Sequence, residues 1–187
     1  ATAFAKQKAK LVLVGRGQQG LDIIEEELSA QTKVLTVAMD VSNVEQCLAL
    51  LVKAEEEFGT VDVLVNNAGM HSRGDLETVD PADVGAMVDI NIRAPLVLSC
   101  AAIPYLRRAG GGGIVMVGSL AGMAPLQGAA TYSGTKAGLR AFAYALADEM
   151  RGTRIHVGVV SPGPIDTGFI MDGIDKVEAI VFCHTRR

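Results

Sequence analysis

Along the chain, short apolar runs bounded by turn residues alternate with longer stretches in which apolar side chains recur at the helical period. Residues 11–14 predict a first strand, and Leu21, Ile24 and Leu28 mark one face of the helix after it. Residues 34–39 predict a second strand. Val44, Cys47, Leu48, Leu51, Val52 and Phe58 then line up as the inner face of the next helix. Residues 61–65 predict a third strand, which runs into Asn66-Asn67-Ala68-Gly69. A long helix is expected from about Pro81, a residue suited to a first helical turn, to Arg108. Its apolar face reads through Val84, Val88, Ile92, Leu96 and Ile103. Glycines 110–113 interrupt the pattern before a strand at 114–117. A further helix is expected from about Thr131 to Arg151, and residues 155–160 predict the last clear strand.

Strand and helix alternating at least four times, with short connections, is the pattern of right-handed βαβ units in a parallel sheet. No repeat or linker divides the chain, so residues 1–187 are expected to form a single domain. Hydrophobic residues make up 49% and charged residues 20%, a globular balance rather than a disordered one. The core must rest on aliphatic side chains, because there is no Trp and few other aromatics. Net charge is −4 with no Lys/Arg stripe, which argues against a nucleic-acid or anionic-membrane partner. No signal peptide is visible and no apolar run approaches ~20 residues, so no membrane span is expected. Cys47, Cys100 and Cys183 are widely spaced, and the first two fall inside apolar helical patterns. Buried, reduced thiols in a cytoplasmic protein are therefore expected, not disulfides or zinc ligands. His71, His156 and His184 share no ligand spacing, and no metal is expected.

Candidate chemistry concentrates in Tyr132-Ser133-Gly134-Thr135-Lys136, with Ser119 at a strand end thirteen residues upstream. A spacing of four puts Tyr132 and Lys136 on one helix face, a turn apart. A free phenol, with a pKa of about 10, is a poor base at neutral pH, and a nearby ammonium pulls that value down. Ser119 lies at the carboxyl end of its strand, where open α/β sheets bind ligands. Its hydroxyl can hydrogen-bond a carbonyl or alkoxide oxygen held by Tyr132. Met70, His71 and residues 120–127 follow strands at the same edge, and either a substrate-lining or a plain loop role is open to them.

Asn66-Asn67-Ala68-Gly69 ends a strand, Asn91 lies in the long helix, and Ser-Pro-Gly-Pro-Ile-Asp-Thr follows the last strand at 161–167. In order and spacing these motifs resemble the short-chain dehydrogenase/reductase family, from Ala1 to about Phe169. The resemblance implies a three-layer, doubly wound, Rossmann-like parallel sheet. It also implies an NAD(P)(H)-dependent oxidoreductase that moves a hydride between a nicotinamide cofactor and a small-molecule alcohol or carbonyl substrate. Tyr132 would be the catalytic acid/base, and Lys136 would lower its pKa and bind the nicotinamide ribose. Ser119 would orient the substrate oxygen, and Asn91 would hold a water in the proton relay behind Lys136. Asp40 and Val41 would flank the adenine, and Asn67, Ala68 and Gly69 would line the cofactor cleft. Pro162, Gly163, Ile165 and Thr167 would meet the nicotinamide carboxamide. A homo-oligomer built through the two long helices is also implied.

Gly15-Arg16-Gly17-Gln18-Gln19-Gly20 follows a strand, opens a helix and lies twenty residues ahead of Asp40, as a dinucleotide-binding fingerprint would. The family pattern places Asp40-Val41 at the end of its third strand instead. That makes residues 11–14 the second strand and residues 1–10 the tail of the first helix. Bulky Leu21, Ile23 and Ile24 favour the same reading, because a tight helix–strand crossing wants small residues after the last glycine. Gly15 then stands where a carboxylate would hold the ribose 2′-OH of NAD, and Arg16 suits a 2′-phosphate, so NADP(H) is favoured over NAD(H). A rearranged Rossmann domain using 15–20 as its phosphate loop is the alternative.

The family's first strand and glycine-rich turn would precede Ala1, and beyond Gly168 the family pattern breaks off, so a fragment lacking that strand is expected. In strand order 3-2-1-4-5-6 the missing strand is central, and both its neighbours would lose a ladder partner. Unpaired buried backbone groups cost about 1–3 kcal/mol each, against a total stability of ~5–15 kcal/mol. A catalytically silent relic, keeping only a dimerisation role for its long helices, is therefore the rival to an active enzyme.

Overall fold

The computed structural model describes residues 1–163 and 180–184. A short helix, α1 (Thr2–Lys6), leads into β1 (Lys10–Gly15), α2 (Gln18–Ser29), β2 (Val34–Ala38), α3 (Val44–Phe58) and β3 (Val63–Asn66). The long helical stretch divides into α4 (Pro81–Val88), a π-helical turn (Asp89–Arg93) and α5 (Ala94–Arg108). Then come β4 (Gly112–Val117), α6 (Ala130–Glu149), β5 (Ile155–Val160) and β6 (Ile180–His184).

Local chemistry sets several of these boundaries. Asn43 caps α3 by accepting from the Gln46 N–H, and Gly59 ends that helix in the left-handed region at φ 84°. Asp80 caps α4 by accepting from the Ala82 N–H, with Pro81 in the first turn. Gly112 opens β4 against the loop before β3, where a Cβ would run into the Asp62 carbonyl oxygen.

The strands form one sheet in the order β2-β1-β6-β3-β4-β5. β1 and β2, β3 and β4, and β4 and β5 pair in parallel. The expected loss of ladder partners beside the central position does not occur. β6 fills the slot, antiparallel to both neighbours, with Phe182 opposite Val12 on one side and Leu64 on the other.

Side chains alternate across the sheet. Leu11 and Leu13 of β1 pack with Ala5, Leu21 and Leu28 under α1 and α2, whereas Val12 and Val14 face α3, α5 and α6. Two helix faces differ from expectation. In α3 the buried set is Cys47, Leu50, Leu51, Ala54 and Phe58, while Val44, Leu48 and Val52 are exposed. Across α4 and α5 the buried set is Met87, Ile90, Ala94, Leu98, Ala102 and Leu106, with Val88 exposed. The π turn shifts the phase of the helix, so a stripe drawn at constant 3.6-residue period drifts off the true inner face. Cys100, expected in the core, is exposed for the same reason, and Cys47 is buried. By length and composition alone the run Pro81–Arg108 could cross a membrane. Here its inner face is packed on the sheet and on α3 and α6.

Placing proline in the middle of a central strand removes a ladder donor and strands its acceptor. Phe182→Pro should therefore lower stability by about 1–3 kcal/mol or more, read as a drop in Tm by circular dichroism. An unchanged melting curve would show that residues 180–184 do not hold the central slot.

Candidate active site

The carboxyl ends of β3 and β4 and the first turns of α6 converge on one small polar centre. β3 stops at Asn66, whose Nδ2 donates to Ser99 Oγ (3.0 Å) and to Met116 Sδ (3.2 Å), pinning the strand end to α5 and β4. Asn91 sits in the middle of the π turn and is fully buried. Its Oδ1 accepts from the Met70 N–H (2.7 Å), and its Nδ2 donates to the Met70 carbonyl (2.9 Å) and to Thr135 Oγ1 (3.1 Å). Both amide hydrogens are thus spent on protein. The π turn, with the Ala94 N–H bonded to the Asp89 carbonyl, breaks the regular helical ladder at this point.

Ser119 ends the loop after β4 in an extended conformation, and its Oγ accepts from the Ala121 N–H (3.2 Å). Tyr132, in the first turn of α6, brings its phenol close enough to the Ser119 side chain for the two to interact. Burial is the larger influence and pushes the phenol above its ordinary value, while Ser119 acts in the opposite direction. One turn on, Lys136 is almost wholly buried; its Nζ donates to the Val117 carbonyl (2.9 Å) and lies 5.7 Å from the centre of the Tyr132 ring. Burial brings the ammonium down to about 8. The expected lowering of the Tyr132 pKa by Lys136 is therefore not the dominant effect here: desolvation wins, and the opposing contribution comes from Ser119.

Glycines make this approach possible. A Cβ at Gly122 would lie 2.6 Å from the Lys136 backbone carbon, so the loop after Ser119 can press against α6 only as glycine. At Gly69 a Cβ would stand 3.5 Å from both Asn91 Oδ1 and Lys136 Nζ, filling the space above them. Thr135 and Gly122 were not singled out from the sequence. Thr135 could have been found as the inner neighbour of Lys136 in the same motif, but Gly122 carries no signal without the packing.

Residues 1–177 match the family model described as short chain dehydrogenase. This chain belongs to that family. It is 34% identical to a ketoacyl reductase of Nostoc sp. over 92% of this chain and 61% of that one. It is 35% identical to sulfoacetaldehyde reductase 2 of Chromohalobacter salexigens, covering 91% of this chain and 69% of that one. Among solved structures, a metagenomic short-chain oxidoreductase in complex with NADP superposes with a TM-score of 0.79 at 32% identity, covering 87% of this chain and 77% of that one. A short-chain dehydrogenase from Streptomyces avermitilis gives 0.76 at 29%, covering 82% and 56%. The chain thus spans about three fifths of the length of the ketoacyl reductase.

The remaining predicted positions of this short chain dehydrogenase spread along the same edge. Ala68 and Gly69 are buried beside Asn91 and Lys136, with Asn67 partly exposed. Pro162 follows β5, where its carbonyl accepts from the Leu120 N–H (3.0 Å), and Gly163 lies against Leu120. Ile165 and Thr167 lie outside the described residues. Arg16 and Asp40 are exposed at the ends of β1 and β2, across the β6 slot from Tyr132. Asp40 Oδ1 accepts from the Ser42 N–H (2.8 Å), whereas the Val41 side chain is buried in the core. None of the glycines at 15, 17 and 20 has positive φ, and at Gly20, where a phosphate loop needs close helix–strand packing, a Cβ would meet nothing within 4 Å. β1 also stands one strand away from β3, as the second-strand reading requires.

The buried Lys136 leads to a stability prediction with a defined sign. Its folded value of about 8 lies below the ordinary 10.5, so between those values the unfolded chain binds more protons, and stability rises with pH across that window. Below it the full cost of burying the ammonium is felt. Lys136→Met should therefore raise Tm at pH 7, with its advantage shrinking as pH is raised through about 8. A lower Tm at pH 7, or a constant difference up to pH 10, would contradict the assignment.

Proposed function

We propose that this chain carries the catalytic machinery of an NAD(P)(H)-dependent oxidoreductase acting on a C–OH/C=O centre, within a single domain that binds the cofactor along the sheet's carboxyl edge. One observation carries the reading: the Tyr132 phenol lies beside the Ser119 side chain, with the buried Lys136 Nζ 5.7 Å from the centre of its ring. A bound nicotinamide supplies the hydride. Ser119 holds the substrate oxygen, and the Tyr132 hydroxyl delivers or removes its proton. Lys136 spends one N–H on Val117, which leaves two donors for a ribose diol, and its charge opposes the desolvation of a tyrosinate. Asn91 keeps Met70 and Thr135 in place and offers its backbone carbonyl to a relay water.

The residues present fit the two ends of such a cofactor. Asn67, Ala68, Gly69, Pro162 and Gly163 surround the nicotinamide side, with Ile165 and Thr167 assigned to the carboxamide from the sequence. Asp40, Val41 and Arg16 serve the adenosine side, and Arg16, which makes no ion pair among the described residues, supports NADP(H) over NAD(H), as does the NADP-bound relative. For the pyrophosphate the fit is weaker. Among the described residues no glycine-rich turn opening a helix stands at the catalytic end of the central slot, where Ile180 begins β6. That observation favours a second reading, a catalytically silent chain. An enhancement of NADPH fluorescence on mixing separates the two. A cytoplasmic setting and a homo-oligomer through the long helices belong to the same proposal; exposed Val88, Cys100 and Tyr144 on those helices support the latter.

Tyr132→Phe keeps the ring and loses the proton donor. It should reduce kcat by ~10²–10⁴-fold and leave the NADPH dissociation constant nearly unchanged. Retention of more than a tenth of the wild-type rate would remove Tyr132 from the mechanism.

Arg16 decides between the two nucleotides. Charge-assisted bonds to a 2′-phosphate are worth roughly 1.5–3 kcal/mol, about ten- to a hundredfold in affinity. Gly15→Asp together with Arg16→Val should shift the ratio of NADPH to NADH dissociation constants by that much toward NADH. Equal weakening of both, with the ratio unmoved, would instead favour residues 15–20 as a pyrophosphate loop.

A further inference from the structure

The segment from Met70 to Gly74 is held at both ends. Asn91 takes both the N–H and the carbonyl of Met70, and the Gly74 N–H donates to the Gly128 carbonyl (3.0 Å). Gly74 has φ 148°, and a Cβ there would lie 3.3 Å from Thr78 Oγ1, so the turn is specified by its lack of a side chain. Clamped at both ends, the backbone of these five residues has little freedom left to lose on binding.

What this segment presents is polar and cationic. The His71 ring stands edge-on to the Tyr132 ring, with centroids 4.4 Å apart and planes at 75°, which places the segment beside the reacting hydroxyl. Arg73, two residues on, is close enough that its charge acts on the imidazole; with burial as the larger cause, His71 is pushed below its ordinary value. Arg73 is exposed and forms no ion pair among the described residues, whereas Arg93, Arg108 and Arg151 each do. Asp75 and Glu77 are nearby in sequence, and neither pairs with it. Residues 119–128, joined to this segment by the Gly74–Gly128 hydrogen bond, contain no acid and expose Leu120, Met123 and Leu126.

We infer that this segment selects for substrates carrying an anionic group, a carboxylate or another oxyanion, separated from the reacting carbonyl by an apolar spacer. This rests on the oxidoreductase reading for the identity of the reacting carbon. Arg73 would take the anion, His71 would form the wall beside Tyr132, and the apolar side chains of residues 119–128 would cover the spacer.

The probes are 4-formylbenzoate and its methyl ester, which share the aldehyde and the aromatic spacer and differ in the charge at the far end. The chain has three histidines, so the imidazole signals of the full chain are few, and His71 can be assigned by its loss in His71→Asn. Titration followed by histidine-detected NMR should show the acid binding at least about tenfold more tightly than the ester, the scale of one charge-assisted contact. Arg73→Gln, at an exposed position, should bring the two affinities together, and Arg73→Lys should keep part of the difference. Equal affinities in the wild-type chain, a difference untouched by Arg73→Gln, or no saturable shift with either probe would overturn the inference. NADPH oxidation with the same two aldehydes tests the other reading separately. Charge discrimination without turnover rejects the oxidoreductase assignment alone, and turnover with equal kcat/KM rejects the anion assignment alone.

Discussion

The side-chain amide of Asn91 joins three elements that are remote in sequence. It holds the loop after β3 through both polar atoms of Met70, it reaches α6 through Thr135, and it stands on the π turn between α4 and α5. Asn91 itself is fully buried, so each lost partner would leave its amide unsatisfied at about 1–3 kcal/mol. The π turn aims the side chain inward, and the helix bearing Tyr132 and Lys136 is positioned against it. The geometry of the candidate site thus depends on a helix irregularity and one asparagine as well as on Ser119, Tyr132 and Lys136.

Around that frame the electrostatics are set mainly by dryness. Tyr132 and Lys136 are both moved toward their neutral forms by burial, in opposite directions on the pH scale. A phenol pushed up from 10.0 and an ammonium brought down from 10.5 to about 8 move apart, so the neutral pair, with the proton on the phenol, is favoured over tyrosinate and ammonium. Ser119 acts on the phenol against the effect of burial, and the Val117 carbonyl anchors the amine.

Much of this was legible in the chain. The alternation of strand and helix, the second-strand position of β1, and the meeting of Ser119, Tyr132, Lys136 and Asn91 at one edge all emerge as expected. They were readable because they rest on local periodicity and on motifs at short, fixed spacing. The inner faces of α3 and of α4–α5 were not, since exposed Val44, Leu48 and Val88 are as apolar as their buried neighbours and the π turn rotates the phase. Nor was the approach of His71 to Tyr132, which lies sixty-one positions away in the chain.

By itself, then, the sequence determined the fold class, the family and the residues able to move a proton, because hydrophobic period, turn chemistry and side-chain type are properties of neighbours along the chain. Only the tertiary structure decided that residues 180–184 run antiparallel through the centre of the sheet, that Gly122 must lack a side chain, and that Lys136 is dry enough to lose half its charge near pH 8. These are consequences of what lies across the sheet or over the site. Partner strands, backbone approaches and desolvation exist only once distant segments have met.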